Sequence, residues 1–409
     1  MLRCWGTGVL GCAVLALLCL VSTARVALAQ VLPDEPISLA GGHVVVGAEV
    51  SATIAPDDPG FFNYTSYEFS ALRNLRIGVS AEVRANDRIQ LLGEVRLDQG
   101  HVLETYGLYV RVRPFASRRF DVQAGRVPPT FGLMTRSSYG SGNLLIGQPL
   151  AYQYLTSIHS DAVPATVNDL LRMRGRGWLS NFPVGNATPG PGLPLVNTAR
   201  WDTGVQAHGV AGMFELTGSV TTGSLSDPMF RDNNLGRQWA GRAVVRPAAS
   251  IAVGASASRG AWLDRSLDTQ IGEDATKHLD QIAFGGDAEY STGPFLLRGE
   301  VLRVTWDMPR FGALQLEEPL GAISSLIEGR YKLAPGLYVA MRGDRLDFST
   351  VPNSAGLAEW EAQTWRVETG IGYSLTRSIV FKGVWQVNRR DGGRVRKDSL
   401  GAVQVLYWF

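Results

Sequence analysis

The chain has 409 residues, with 39 lysines and arginines against 37 aspartates and glutamates, and 45% of it is hydrophobic. That near-neutral balance excludes nucleic acid or a polybasic membrane anchor as the main partner. All three cysteines, Cys4, Cys12 and Cys19, lie near the N-terminus, so the rest of the chain has neither disulfides nor thiol chemistry, and no metal-ligand spacing or phosphate-binding loop implies a metal or cofactor.

In chain order, Arg3, the apolar run Val9–Val21 and Ala27-Leu28-Ala29 read as the three parts of a secretory signal peptide, expected over residues 1–29. Residues 30–42 are expected to form a short periplasmic segment, and residues 43–409 one domain. No later stretch reaches the roughly 20 apolar residues that a membrane-crossing helix needs. Alternation recurs instead, in segments of about ten residues punctuated by turn chemistry. Sixteen strands are expected: Val44–Ile54, Leu75–Ala85, Ile89–Leu97, Tyr106–Val112, Phe120–Ala124, Trp201–Ala207, Phe214–Val220, Trp239–Val245, Ile251–Ala257, Ile282–Tyr290, Phe295–Val301, Ile327–Leu333, Leu337–Met341, Trp365–Tyr373, Ile379–Val387 and Val403–Phe409. Their connections alternate between short turns and mostly longer, polar loops, which is the layout of a bacterial outer-membrane barrel.

A soluble β-sandwich also alternates, and aromatic placement decides against it. Trp201, Trp239 and Trp365 fall on apolar faces near the long loops; Tyr331, Tyr373, Tyr407 and Phe409 fall on apolar faces near the short turns. Trp365 and Tyr373 are eight residues apart, about 27 Å along a strand and near 20 Å of height once tilted. Two girdles bounding a lipid band about 25 Å tall have that spacing. The expected fold is therefore all-β, a transmembrane antiparallel β-barrel of about sixteen strands, or eighteen if the long third loop hides a hairpin.

The opposite faces must be wet, because lone ionised groups are too costly to bury dry. They carry Glu94, Arg96, Arg111, Arg113, Arg242 and Arg342, with Arg76, Glu82, Arg298, Glu300, Arg330, Glu368 and Lys382. Mutual pairing that merely solvates the wall is the plainer reading of any one of them. One connection, residues 126–199, is long enough to be functional. Its apolar stretch "VPPTFGLMTRSSYGSGNLLIGQPLAYQYL" must pack, and the only large interior for it is the lumen. It carries Arg126, Arg136, Arg172, Arg174 and Arg176 against Asp161 and Asp169. Arginines on alternate positions in "RMRGRG" would bring Arg172, Arg174 and Arg176 together at a constriction; an exposed or acid-paired basic segment is the competing reading.

At these residues the chain resembles a bacterial porin, and "GRVPPTFG" (Gly125–Gly132) resembles the stretch leading into the third loop in the phosphate-selective porin O and P family. The terminal Phe409 resembles the signal by which outer-membrane barrels are recognised for assembly. The resemblance implies a sixteen-stranded homotrimer in the outer membrane, a third loop folded into the pore and a basic lining that favours anions. Only four lysines are present, Lys277, Lys332, Lys382 and Lys397, so no lysine cluster of the kind a dedicated phosphate site uses is seen. The leading expectation is a channel for passive diffusion of small hydrophilic solutes, anion-leaning. A solute-specific channel for phosphate, sugars or aromatic acids is the alternative. An outer-membrane barrel enzyme is a third: His159-Ser160-Asp161 and Asp98 with His101 are its only histidine pairings, and neighbours in sequence rarely face one another as a triad must.

Overall fold

The computed structural model describes residues 32–65, 69–98, 102–175 and 184–409. The barrel lies within residues 35–409, which form one compact unit. The signal peptide expected over residues 1–29 falls outside the described residues.

All sixteen expected strands are present: β1 (Val44–Ile54), β2 (Asn74–Arg84), β3 (Ile89–Asp98), β4 (Val102–Val112), β5 (Phe120–Val127), β6 (Asp202–Ala211), β7 (Phe214–Thr221), β8 (Gln238–Ala248), β9 (Ile251–Ala261), β10 (Asp280–Thr292), β11 (Phe295–Trp306), β12 (Leu320–Ala334), β13 (Leu337–Phe348), β14 (Thr364–Ser374), β15 (Ile379–Arg390) and β16 (Lys397–Trp408). Each pairs antiparallel with the next. β1 also pairs with β16, from Glu49 opposite Trp408 to Ile54 opposite Val403, so the ring closes. A short strand, Ile37–Leu39, continues the same β1 edge beyond Phe409, whose backbone exchanges two hydrogen bonds with Ala48 (3.1 and 3.0 Å). Closure leaves no free edge along the ring, which a span through lipid requires. Among the described residues no helix is long and apolar enough to cross a membrane.

Alternation sorts the side chains. On β16, Val403 and Val405 are 59% and 43% exposed while Gln404 and Leu406 are buried, so the apolar row faces outward. Trp239, Trp365, Tyr331 and Tyr373 are exposed on outer rows, and the Tyr407 and Phe409 rings lie 5.8 Å apart at the other end of the last strand. The girdle is incomplete: from Val44 to Val112, on β1 to β4, the outer row holds only Val, Ile, Leu, Ala, Gly and Thr. β12 begins at Leu320, seven residues before the expected Ile327, because strands run on past the lipid band.

The connections at one rim are short turns. Those at the other are mostly longer, the exceptions being residues 99–101 between β3 and β4 and residues 391–396 between β15 and β16. The main apolar core lies under the long loops: Trp262, Leu263, Trp306, Leu314, Phe348, Val351 and Trp360 pack with Leu150, Tyr154, Ile158, Leu170 and Leu195 of the third loop.

Candidate pore lining and third loop

The inner rows carry paired charges. Arg76 bonds Asp98 (2.6 Å), Arg96 bonds Glu94 (2.7 Å), Arg242 bonds Asp287 (2.6 Å) and Arg298 bonds Glu328 (2.5 Å). Arg111 lies 3.9 Å from Asp121 and 3.2 Å from the Tyr109 hydroxyl. The pattern is that of a wall whose cations and anions solvate each other, with Arg113 and Arg330 outside any ion pair among the described residues.

The first half of the third loop is held by these walls through its backbone. Gly132 N–H donates to Ser256 on β9 (3.1 Å) and Leu133 N–H to Glu300 on β11 (2.6 Å). A single 3-10 turn, Met134–Ser138, follows, and the Ser138 carbonyl accepts from Arg76 on β2 (2.7 Å). In a sixteen-strand ring β2 stands seven strands from β11, close to half the circumference, so this turn joins opposite walls. Beyond it, the Gly140 and Ser141 N–H groups donate to Glu49 (2.7 and 3.1 Å), and Lys382 donates to the carbonyls of Gly140, Asn143 and Leu145 (2.6, 2.6 and 3.3 Å). The Glu368 carboxylate accepts from Gly147 N–H (2.9 Å), and Arg366 donates to the Gln148 carbonyl (3.0 Å). Tyr152, on the short helix α1 (Leu150–Gln153), returns to Glu300 (2.8 Å). Burial pushes the Tyr152 hydroxyl well above its ordinary range, which keeps it a neutral donor. Glycine is required at Gly132, whose φ of +83° residues with side chains rarely adopt and where a Cβ would run into the Tyr152 hydroxyl.

The second half packs differently. Thr166 accepts from Asp169 N–H (3.0 Å) and so caps the helix α2 (Val167–Arg172), which buries Leu170 in the loop core. His159 donates from Nδ1 to the Gly190 carbonyl (2.7 Å), and burial lowers its pKa to about 4.

Several expected site residues lie elsewhere than the alternation alone implied. Arg126 pairs in register with Thr203 and with the 49% exposed Leu108, so it is on the outer row; it donates to the Trp201 carbonyl (2.9 Å), with its guanidinium 5.6 Å from the Phe230 ring. The open backbone of Gly125 (φ +129°) precedes it. Trp201 is not a girdle residue: it precedes β6 and packs on Tyr106 and Tyr109 (5.2 and 6.1 Å) over Gly107, which leaves room for the indole. Arg172 and Arg174 are not brought together, because the helix replaces the extended alternation. Arg172 is 80% exposed beside Asp169, and Arg174 reaches Glu359 in another long loop (3.5 Å). Arg176 lies outside the described residues. Arg342 faces inward but meets no open water: fully buried, it bonds Glu328, Asp344 and Glu368 (3.2, 3.2 and 2.6 Å) and the Gly147 carbonyl (2.5 Å). Arg96, 4% exposed, is stacked between the Tyr106 and Tyr139 rings (3.3 and 4.2 Å). Glu94, Arg111, Arg113 and Arg242 are on the inner wall.

The loop-holding roles of Glu49, Glu300, Arg366, Glu368 and Lys382 were not singled out by the sequence. A signal for them exists, since residues 137–160 contain no charged side chain apart from His159, and a chain that polar without charges needs partners from the wall.

No protein-family model and no characterised sequence is significantly similar to the chain. Solved structures are. An anion-selective porin from Comamonas acidovorans superposes with a TM-score of 0.54 at 10% identity, over 90% of this chain and 99% of that one. The chain has the fold of bacterial porins. The loop-deletion mutant of the outer-membrane protein OmpT of Vibrio cholerae gives 0.53 at 12% identity over 90% and 99%, and OmpF of Salmonella typhi in complex with daunomycin gives 0.53 at 12% over 90% and 97%.

Proposed function

We propose that this chain is an outer-membrane porin, a water-filled channel through which small hydrophilic solutes diffuse passively, with no catalytic role. The observation that carries this reading is the joining of opposite walls by Met134–Ser138 within a closed sixteen-strand ring lined by charges: a segment so placed narrows the lumen without sealing a wall that, at this strand number, encloses water. The reading includes the inward-folded third loop over residues 126–199, export through a signal peptide at residues 1–29, a periplasmic segment at residues 30–42 and recognition of the last strand by the assembly machinery. It also includes a homotrimer, and the girdle-free outer face of β1 to β4 supports a protein neighbour there, since tryptophan and tyrosine belong where headgroups are met.

The anion preference expected from the third-loop arginines finds little support. Arg126 is on the outer row, Arg172 and Arg174 sit among the long loops, and Arg96 and Arg342 are buried in pairs. A weakly selective channel fits better than one tuned to phosphate, and the resemblance of Gly125–Gly132 to the porin O and P family extends to the entry of the third loop rather than to a basic phosphate site.

Single-channel recording across a salt gradient tests the proposal. Stable, ohmic conductance with a small reversal potential is expected of the purified, folded protein. Absence of conductance would overturn the channel, and block by micromolar sugar, phosphate or aromatic acid would replace it with a solute-specific one.

A further inference from the structure

Six basic residues face away from the lumen at the long-loop end of the wall: Arg126 on β5, Arg259 on β9, Arg303 on β11, Arg345 on β13, Arg389 on β15 and Lys397 on β16. Four positions form one unbroken cross-strand row, Arg345 beside Trp365, Trp365 beside Arg389, and Arg389 beside Lys397. Directly opposed side chains stand about 5 Å apart, so Arg345 and Arg389 flank the Trp365 indole and Lys397 stands next beyond Arg389. Arg389 lies 5.5 Å from the Trp365 ring centre. Arg345 bonds Asp347 (2.8 Å), whereas Arg303, Arg389 and Lys397 have no ion pair among the described residues. Two and four residues further down the same outer rows come Gly343 and Met341, Val387 and Trp385, Ser399 and Gly401. The row therefore marks the level at which an apolar wall gives way to charge.

Resting on the outer-membrane reading, we propose that the row Arg345–Trp365–Arg389–Lys397 binds the phosphate groups of an anionic lipid headgroup in the leaflet at the long-loop rim. The side chains point at lipid, which makes a transported solute the wrong partner. Guanidinium groups match phosphate oxygens in pairs, and tryptophan is at home at headgroup depth. β1 to β4 offer no such row: at the same rim they present Ile54, Leu75, Leu97 and Leu103. Lipid phosphate is thus recognised on one side of the barrel only.

The test incubates the detergent-purified protein with a bis-phosphorylated glycolipid, with the same lipid after phosphatase treatment, or with inorganic phosphate, and reads retention by native mass spectrometry and Trp fluorescence. The phosphorylated lipid should be retained at least about tenfold better than its dephosphorylated form, and millimolar inorganic phosphate should not displace it. The double variant Arg389→Gln/Lys397→Gln, which leaves no carboxylate unpaired, should lose that preference and keep its conductance. Equal retention of the two lipids, an unchanged double variant, or displacement by inorganic phosphate would overturn the proposal. If the variant does not fold, the lipid comparison on the native protein still decides. Failure of the porin reading would show separately, as absent conductance with lipid retention intact.

Discussion

The two halves of the third loop are held in place by opposite means. Residues 128–148 give the wall their backbone: carbonyls to Arg76, Arg342, Arg366 and Lys382, N–H groups to Glu49, Glu300 and Glu368. Residues 150–199 give apolar side chains to a core shared with the other long loops. A backbone clamp fixes position to within hydrogen-bond geometry even where Phe131, Met134, Leu145 and Ile146 of the same segment are also buried, whereas apolar packing alone tolerates some slippage. The half that joins opposite walls is the half held by directional bonds, and the half that covers the rim is held by burial.

The largest expected effect comes from breaking the clamp at its most connected cation. Arg342→Met leaves Glu328, Asp344 and Glu368 buried without their common partner and the Gly147 carbonyl with only the Asn143 amide as donor. Removing one partner of a buried pair costs about 3–5 kcal/mol, so the folded barrel should melt at lower temperature and its conductance should rise and become noisy. An unchanged conductance in the folded variant would mean that the clamp does not set the width of the pore.

Breaking the other half should cost comparable stability and spare the pore. Trp360 is fully buried, donates to the Gly321 carbonyl (2.8 Å) and meets the Trp306 and Phe348 rings at 5.9 and 5.1 Å. Trp360→Ala should destabilise the long-loop region by about 3–5 kcal/mol. Proteolysis within residues 150–199 should accelerate while single-channel conductance stays at the native value. Equal conductance changes in the two variants would erase the distinction between the halves.

The barrel was legible because period-two alternation is a property of each strand alone; every strand from Val44 to Phe409 could be placed without knowing its neighbours. The site was less so. Arg342 reads as one more inward charge, and only the register of β13 with β14, together with the loop laid over it, shows that it is dry. Arg172 and Arg174 alternate like strand residues, but the Thr166 cap starts a helix that runs into them. Trp201 sits one residue before its strand, where alternation gives no direction. Contacts made across the lumen come from residues some 200 positions apart, and no local pattern encodes them.

A smaller, pH-dependent effect should be confined to the second half. Burial holds the His159 pKa at about 4, below the ordinary value near 6.5, so the packed loop requires the neutral ring. Above about pH 6.5 the stabilisation is fully present; it falls as acid protonates the unpacked form, by up to about 3 kcal/mol at pH 4, and no further below that. Protease access to residues 184–199 should increase over this window in the native protein and much less in His159→Gln. Identical acid responses would assign the loosening to other groups.

The smallest expected effect is the most informative about selectivity. Arg172→Glu with Arg174→Glu changes the formal charge of the second half by four units, yet Arg172 is 80% exposed and Arg174 pairs with Glu359 at the rim. Exposed charges act over a Debye length of about 10 Å at 0.1 M salt, so ions passing Met134–Ser138 should scarcely register the reversal. Arg330 supplies the contrast, being on the inner row with no ion pair among the described residues, where its charge faces passing ions uncompensated. Arg330→Glu should move the reversal potential toward cation preference, by more than the double reversal does. A large shift from the double variant, with Arg330→Glu silent, would return the third-loop arginines to the ion pathway and show that permeating ions travel along the loop core rather than the wall.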